Sequence, residues 1–151
     1  MFGALSPSAV MKNVCKALDA SDLKYNKTPD GGVTLSAMGD DLPINMMVAA
    51  DSNNMTLNIY CFLMFDIPEA AVPKVMKELN TVNNSINNGS FFIVEEGPRI
   101  CFKIIQSFFD SLPSCKLIQH LIMIAFKTVD VNDGKLKDLI PQITNMDVMY
   151  S

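Results

Sequence analysis

The sequence has none of the short motifs that hold a metal cluster, a nucleotide phosphate or an activated serine. Its four cysteines form no C-x-x-C pair, so a zinc or iron–sulfur site lacks its usual ligands. There is no G-x-G-x-x-G, no P-loop lysine and no G-x-S-x-G turn. We therefore expect no catalytic residue, no cofactor and no metal ion. The cysteines are expected to be small apolar side chains: Cys15, Cys61, Cys101 and Cys115.

Histidine occurs only once, at His120. It lies in an apolar helical pattern, where a lone histidine is more often a packed or boundary residue than a catalytic one. Acidic pairs at 40–41 and 95–96 fall in predicted turns, which favours solvated charge over acid–base chemistry. The stretch 51–54 resembles a calcium loop but lacks the later bidentate glutamate, so we interpret it as a turn.

Basic residues are few and scattered: 12 Lys and Arg stand against 16 Asp and Glu, a net charge of -4. Such a protein has no long-range attraction for phosphate backbones or anionic lipid, so we expect no nucleic-acid and no membrane partner. No apolar run reaches the roughly 20 residues of a spanning helix. Residues 1–10 lack the basic and apolar regions of a signal peptide. We predict a cytoplasmic protein with free thiols.

Apolar residues make up 49% of the 151 residues, enough for one globular domain with its own core. We expect a single domain over 1–151, with its core at about 6–131 and a short helix and tail at 133–151. Ser6 or Ser8 can cap a first helix with Pro7 in its first turn. The helical stripe that follows consists of Val10, Val14, Ala17 and Leu18.

Short connections then join a series of strands, predicted at 33–38, 44–49 and 55–62. Residues 23–28 could form an additional short strand before them. Because the loops have hairpin length, the strands form an antiparallel meander. In the last of them, residues 55, 57, 59 and 61 share one face, and residues 56, 58, 60 and 62 the other. Since Tyr60 and Phe62 occupy the outer face, we expect that face to be covered at one end.

A second helix is predicted after Asp66, with Asp66 as its cap and Glu69 completing a capping box. Pro73 fits this start poorly, and the helix could instead begin at Pro73. The apolar stripe consists of Val72, Val75, Met76, Leu79, Val82 and Ile86.

Residues 91–106 are predicted to form a β-hairpin around which the chain is organised. Phe91–Val94 is a continuous apolar run, typical of a strand buried on both faces. Gly97-Pro98 marks the turn. The residues from 99 to 105 then alternate, with Ile100, Phe102 and Ile104 on one side, which predicts a half-buried strand.

A third helix is predicted to start at 110–114 and to end at Asp133-Gly134, followed by a short helix at 135–140 and a peripheral tail from Pro141. Its apolar residues extend almost round the helix, so we expect it to lie between the sheet and a second partner. The mate in a homodimer is the simplest candidate for that partner. The predicted dimer or partner surface consists of Leu117, Leu121, Met123, Ile124 and Phe126.

The elements predict an α+β domain with a largely antiparallel sheet packed against helices. Residues 68–131 resemble the YbjN-like family of small bacterial proteins, which shares its fold with type III secretion chaperones. The resemblance rests on the helix ending at Glu78-Leu79-Asn80, the strands Gly89–Ile93 and Arg99–Lys103, and the Pro113-Ser114 helix start. It implies an α-β-β-β-α-β-β-α order, dimerisation and binding of other proteins.

Two functions remain open. The first is a non-enzymatic protein-binding module of bacteria, a homodimeric chaperone-like or regulatory adaptor protein that binds an unknown protein client. The second is a small-molecule-binding domain or minor enzyme, with a pocket between the sheet and the last long helix. For that pocket the candidate side chains are Tyr60, Arg99, Lys103 and His120. The 11 methionines could form an adaptable binding surface, although core filling is the more common use.

Overall fold

A computed structural model of the chain describes residues 5–140. It confirms an α+β fold in which four strands, a helix, two strands and a helix follow the first helix. The predicted tail from Pro141 lies outside the described residues. The elements are α1 (Pro7–Ala20), β1 (Asn26–Lys27), β2 (Val33–Met38), β3 (Pro43–Asp51), β4 (Thr56–Asp66), a 3-10 turn (Glu69–Ala71), α2 (Val72–Ser85), β5 (Ser90–Val94), β6 (Arg99–Ser107) and α3 (Cys115–Lys137).

The six strands form one antiparallel sheet in the order β1-β2-β3-β4-β6-β5. All three helices pack on the same face, α1 and α3 beside each other over the centre and α2 over β5. Successive strand residues point to opposite faces, so every second residue enters the core under the helices. Within residues 5–140 the opposite face of the sheet carries no helix.

Two serine caps fix the starts of the helices that cover the sheet centre. The Ser6 hydroxyl accepts a hydrogen bond from the Ala9 N–H at 3.2 Å, which selects Ser6 over Ser8 as the cap of α1. The Ser114 hydroxyl accepts one from the Leu117 N–H at 3.0 Å and caps α3. Both bonds satisfy amides that the helix leaves without partners.

The predicted capping box at Asp66 is wrong. Asp66 is the last residue of β4 and pairs with Arg99 of β6, at 3.7 Å between Oδ1 and Nε. The α-helix starts at Val72, with Pro73 in its first turn. This matches the alternative start at Pro73, because the ring of proline is compatible only with the first turn.

The third helix does not break at Asp133-Gly134, and the separate helix predicted at 135–140 is wrong. α3 continues to Lys137, and Leu136 is fully buried one turn beyond Asn132 and two turns beyond Val129. Burial of that further turn outweighs the low helix propensity of one glycine, which costs about 1 kcal/mol.

The hairpin at 91–106 is confirmed, but Phe91–Val94 is not buried on both faces. β5 is an edge strand, and Phe91 is its only fully buried residue. The sheet is instead centred on β4 and its neighbours β3 and β6. Of the possible strand at 23–28, only Asn26 and Lys27 pair with β2.

Candidate interaction surface

The face of the sheet opposite the helices is built from alternate residues of five strands. We call it the open face. Strand register places these residues side by side, because directly opposed residues of antiparallel strands point to the same face. Its members are Thr34, Ser36, Met38, Asn45, Met47, Ala49, Asn58, Tyr60, Phe62, Met64, Ser90, Phe92, Val94, Cys101, Lys103 and Ile105, with Pro43, Asp51, Thr56, Asp66, Arg99 and Ser107 at the strand ends.

Aromatic rings form the centre of the open face. Phe62 of β4 and Phe92 of β5 lie on either side of Cys101 in β6, so the two rings cover the thiol, which is 1% exposed. Tyr60 stacks beside Phe62, with ring centroids 6.4 Å apart. The Lys103 ammonium lies 5.0 Å from the centroid of the Phe92 ring. This is a cation–π contact, which leaves the ammonium able to donate outward.

Long apolar side chains extend this centre towards the edges of the sheet. Met38 is 73% exposed, Ile105 is 52% exposed and Met64 is 49% exposed. Isolated exposed apolar residues are ordinary, but a contiguous group with aromatic rings marks an interaction site. Methionine suits such a site, because its unbranched side chain adapts to different partners.

The open face continues into a cleft at the β1 edge, with a volume of about 650 Å³. The cleft is lined on the open face by Met47, Phe62 and Asn45, and on its outer side by Lys24 and Tyr25. No carboxylate lines it. A groove that is part apolar and part polar, beside a strand edge, can accept an extended or helical segment of another protein.

No protein-family model and no curated protein matches the chain. Among solved structures it resembles YbjN from E. coli, a candidate transcription regulator, with a TM-score of 0.68 and 10% identity over 85% of this chain and 91% of YbjN. It also resembles a chain of the ExsC–ExsE complex, with a TM-score of 0.56 and 8% identity over 91% and 98% of the two chains.

The chain has a YbjN-like fold. This confirms the structural part of the resemblance seen in residues 68–131. Among residues 5–140 no helix is long and apolar enough to cross a bilayer.

The five residues predicted as a dimer or partner surface on α3 divide into three groups in the YbjN-like fold. Leu121 is 6% exposed and belongs to the core, so it is not available to a partner. Leu117, Ile124 and Phe126 are half-buried and pack against the core. Met123 is 61% exposed. The expected second partner of α3 is in part α1, to which Gln119 donates a hydrogen bond at the Ala17 carbonyl, at 3.3 Å.

The candidate pocket residues of the second hypothesis do not converge. Tyr60 and Lys103 lie on the open face, whereas His120 is exposed on α3, on the other side of the sheet. Arg99 forms an ion pair with Asp66 at the end of β4. The side chains of α3 that face the sheet are fully buried in the apolar core: Ile118, Ile122, Ala125 and Val129.

The cysteines divide into two buried and two half-buried residues, all with free thiols. Burial raises the pKa of the Cys101 thiol to about 12 and also raises that of Cys61. Since the thiolate is the reactive form, both are poor nucleophiles. Within residues 5–140 no group of His, Cys, Asp and Glu side chains is arranged to hold a metal ion.

The predicted turns at 51–54 and 95–96 are confirmed. Asp51 accepts hydrogen bonds from the Asn53 and Asn54 amides, and the Asn54 side chain is the largest cause of its lowered pKa. The pair at 40–41 differs, because its turn packs onto α3. The Asp40 N–H donates to Asp130 at 2.7 Å, and Asp41 lies against Gly134.

More of the methionines are exposed than the sequence predicted. Met11 and Met46 fill the core as expected, but Met38, Met64, Met76 and Met123 are about half exposed or more. The signal was present in the strands, where Met38 and Met47 occupy outward positions of an alternating pattern. Tyr60 and Phe62 were correctly placed on the outer face, although no described element covers that face.

Proposed function

We propose that the protein is a non-enzymatic, homodimeric protein-binding module, a chaperone-like or regulatory adaptor protein of the cytoplasm. Its client binds the open face. The single observation that carries this proposal is the contiguous group of aromatic and methionine side chains on a sheet face that no described element covers. Burial of such a surface is the main driving force of protein association.

Two further observations support the proposal. One structural neighbour is a complex of two proteins, the ExsC–ExsE complex, and the other is a candidate transcription regulator. The described lysines and arginines form no track along the open face, which carries only Lys103 and, paired with Asp66 at a strand end, Arg99. Nucleic-acid binding depends on many phosphate contacts, so the client is a protein.

The homodimer is proposed to form through the outer surface of α3. Met123 is its most exposed apolar residue among those predicted, and Leu117, Ile124 and Phe126 flank it. This surface lies on the helix layer, opposite the open face, so a dimer formed there leaves both open faces available.

The test is affinity purification of the tagged protein from its native cells, with the variant Tyr60→Thr/Phe62→Thr beside the wild type. Threonine keeps a high strand propensity, and both residues are half-buried on the face away from the core, so the variant should fold. The matched control is Met76→Gln, which removes an exposed apolar side chain from α2.

The wild type and the control should recover the same protein in near-equal amount, and the open-face variant should lose it. A client that the open-face variant retains would contradict the proposal, and so would a wild type that recovers no protein.

A further inference from the structure

Carboxylates are absent from the interior of the open face. Every Asp and Glu among residues 5–140 lies in a helix, in a turn or loop, or at the last residue of a strand, as Asp51 and Asp66 do. The chain as a whole is acidic, with a net charge of -4. The two carboxylates that strand register places on the open face, Asp51 and Asp66, lie at strand ends, and the interior of the face carries no negative charge on an acidic protein.

Lys103 is the one formal charge in the interior of the open face, because Arg99, opposite Val94 on the same face, is the first residue of β6 and pairs with Asp66. It lies in the middle of β6, opposite Tyr60 of β4 and Ser90 of β5. Within the described part of the chain, the only ion pair joins Arg99 and Asp66, so no carboxylate neutralises Lys103. Its ammonium contacts the Phe92 ring and otherwise depends on solvent.

A partner that covers the aromatic centre also covers Lys103. Removing an ammonium from water without a counter-charge is costly, and the cost falls when a carboxylate pairs with it. The occupant must therefore combine apolar side chains, for Tyr60, Phe62 and Met47, with an acidic group near Lys103.

A second copy of this chain cannot supply that group through the same face. In a two-fold symmetric interface the same surface meets itself. The carboxylates of the open face, Asp51 and Asp66, lie at strand ends and are already bonded to Asn53, Asn54 and Arg99. A contact of the face with itself would therefore bring two ammonium groups into one apolar interface without a free carboxylate beside them. The occupant is therefore a different protein.

The cleft at the β1 edge also combines a lysine with apolar side chains and has no carboxylate. Lys24 lines it together with Met47 and Phe62, and none of its lining residues is acidic. β6 and β1 are separated by β4, β3 and β2, so Lys103 and the cleft lie roughly 20 Å apart at the usual strand spacing. A single segment of a helix or an extended chain can span that distance.

We propose that the open face binds an acidic amphipathic segment of a different protein, whose apolar side chains cover Tyr60, Phe62 and Met47 and whose carboxylates pair with Lys103 and Lys24. The inference rests on the proposed function and adds the chemistry of the client. It also separates the two surfaces: the client binds the sheet face, and any second copy binds elsewhere.

The test is a selection from a library of random 16-residue peptides displayed on phage, against the full-length protein. The recovered peptides should be enriched in Asp and Glu alongside large apolar residues. The affinity of a recovered peptide, measured by fluorescence anisotropy, should fall about tenfold with Lys103→Glu, as expected for loss of a close charge pair. Lys103→Gln should give a smaller loss and serves if the charge reversal fails to fold.

The control is Lys127→Glu, a matched charge reversal at an exposed position of α3, which should leave the affinity unchanged. Three outcomes would overturn the inference: recovered peptides without an acidic excess, equal affinity for the Lys103 variants and the wild type, or no recovered peptide at all.

Two results separate this inference from the proposed function. The recovered peptides could be neutral and still bind the Phe62→Thr variant less tightly than the wild type. That result would keep the open face as a protein-binding surface and overturn only its preference for acidic partners. A wild-type dimer that Phe62→Thr dissociates in sedimentation would place a second copy on the open face and overturn the inference directly.

Discussion

Asp133 is a buried carboxylate without a counter-charge, on the side of α3 that meets the β2–β3 turn. It is 1% exposed, and neither oxygen has a hydrogen-bond partner of normal geometry. Burial, reinforced by the carboxylates of Asp130 and Asp41, raises the pKa of Asp133 from 3.8 to about 6, and the Gly134 N–H offsets only part of this. The protonated form is therefore the one that the fold favours.

We predict that Asp133→Asn increases the free energy of unfolding at pH 8 and leaves it nearly unchanged at pH 4. The folded-state pKa is raised, so the stability that Asp133 contributes is fully present below about pH 3.8 and is lost as pH rises through about 6. Urea denaturation at both pH values measures the difference. Asp138→Asn, an exposed position of the same charge type, is the control, and an equal gain there would contradict the explanation.

Asn83 closes the outer edge of β5. Its side-chain amide donates to the Phe91 carbonyl at 3.0 Å and accepts from the Phe91 N–H at 2.8 Å. These are the main-chain groups that a neighbouring strand would otherwise use. Exposed strand edges promote association between chains, so Asn83 protects this edge.

We predict that Asn83→Ala lowers the free energy of unfolding by about 1–3 kcal/mol, because two main-chain groups lose partly buried hydrogen bonds. Urea denaturation measures the loss. Asn84→Ala, at an exposed neighbouring position of α2, should cost less than about 0.5 kcal/mol. Equal losses in the two variants would show that the amide of Asn83 does not hold the edge.

The loop between α2 and β5 requires glycine at position 89 for two reasons, its backbone conformation and the lack of space for a side chain. Gly89 has a φ of 79°, and a Cβ there would lie 2.6 Å from the Lys103 carbonyl and still closer to the Phe102 ring. Gly97 in the β5–β6 turn also has a positive φ, 62°, but a Cβ there would have no atom within 4 Å. Comparing substitutions at Gly97 and Gly89 therefore separates the energetic cost of backbone strain from that of a steric clash.

We predict that Gly97→Ala costs about 1 kcal/mol through the left-handed backbone alone. Gly89→Ala should cost about 3 kcal/mol or more, because overpacking against the core adds to the same strain. Chemical denaturation of both variants gives the two values. Similar losses would mean that β5 can move away from β6 without cost.

Elements with a strong local pattern were predictable, and elements fixed by tertiary contacts were not. The alternation in β4 and β6 and the apolar stripes of the helices placed those elements correctly. The start of α2 was misplaced because Asp66 is drawn into the sheet by its pairing with Arg99. The end of α3 was misplaced because burial of Leu136 depends on the rest of the core.

At the scale of the molecule, all three helices occupy one side of the sheet. The sequence predicted apolar faces for every element but not which side each helix takes, so it did not reveal that one sheet face stays without a helix. It correctly placed Tyr60 and Phe62 outward, and of the dimer or partner surface that it predicted on α3, Leu121 lies in the core. The contribution of Met47, Phe92 and Lys103 depends on strand order, which a sequence pattern does not encode.

We predict that the protein sediments as a dimer of about twice its 16.6 kDa mass, and that Met123→Glu shifts it to the monomer. A charge in the centre of an apolar interface is costly. Met76→Glu, a matched change on α2 at a similarly exposed methionine, should leave the dimer intact. A monomeric wild type would rule out the proposed α3 dimer.

The central claim, that a different protein binds the open face, can be tested most directly by photo-crosslinking in native cells. A benzoylphenylalanine placed at position 62 reports what touches the open face, and the same group at position 76 reports on α2. We expect an adduct with one other protein from position 62 and none of comparable yield from position 76. An adduct of the chain with itself from position 62, or equal yields from the two positions, would contradict it.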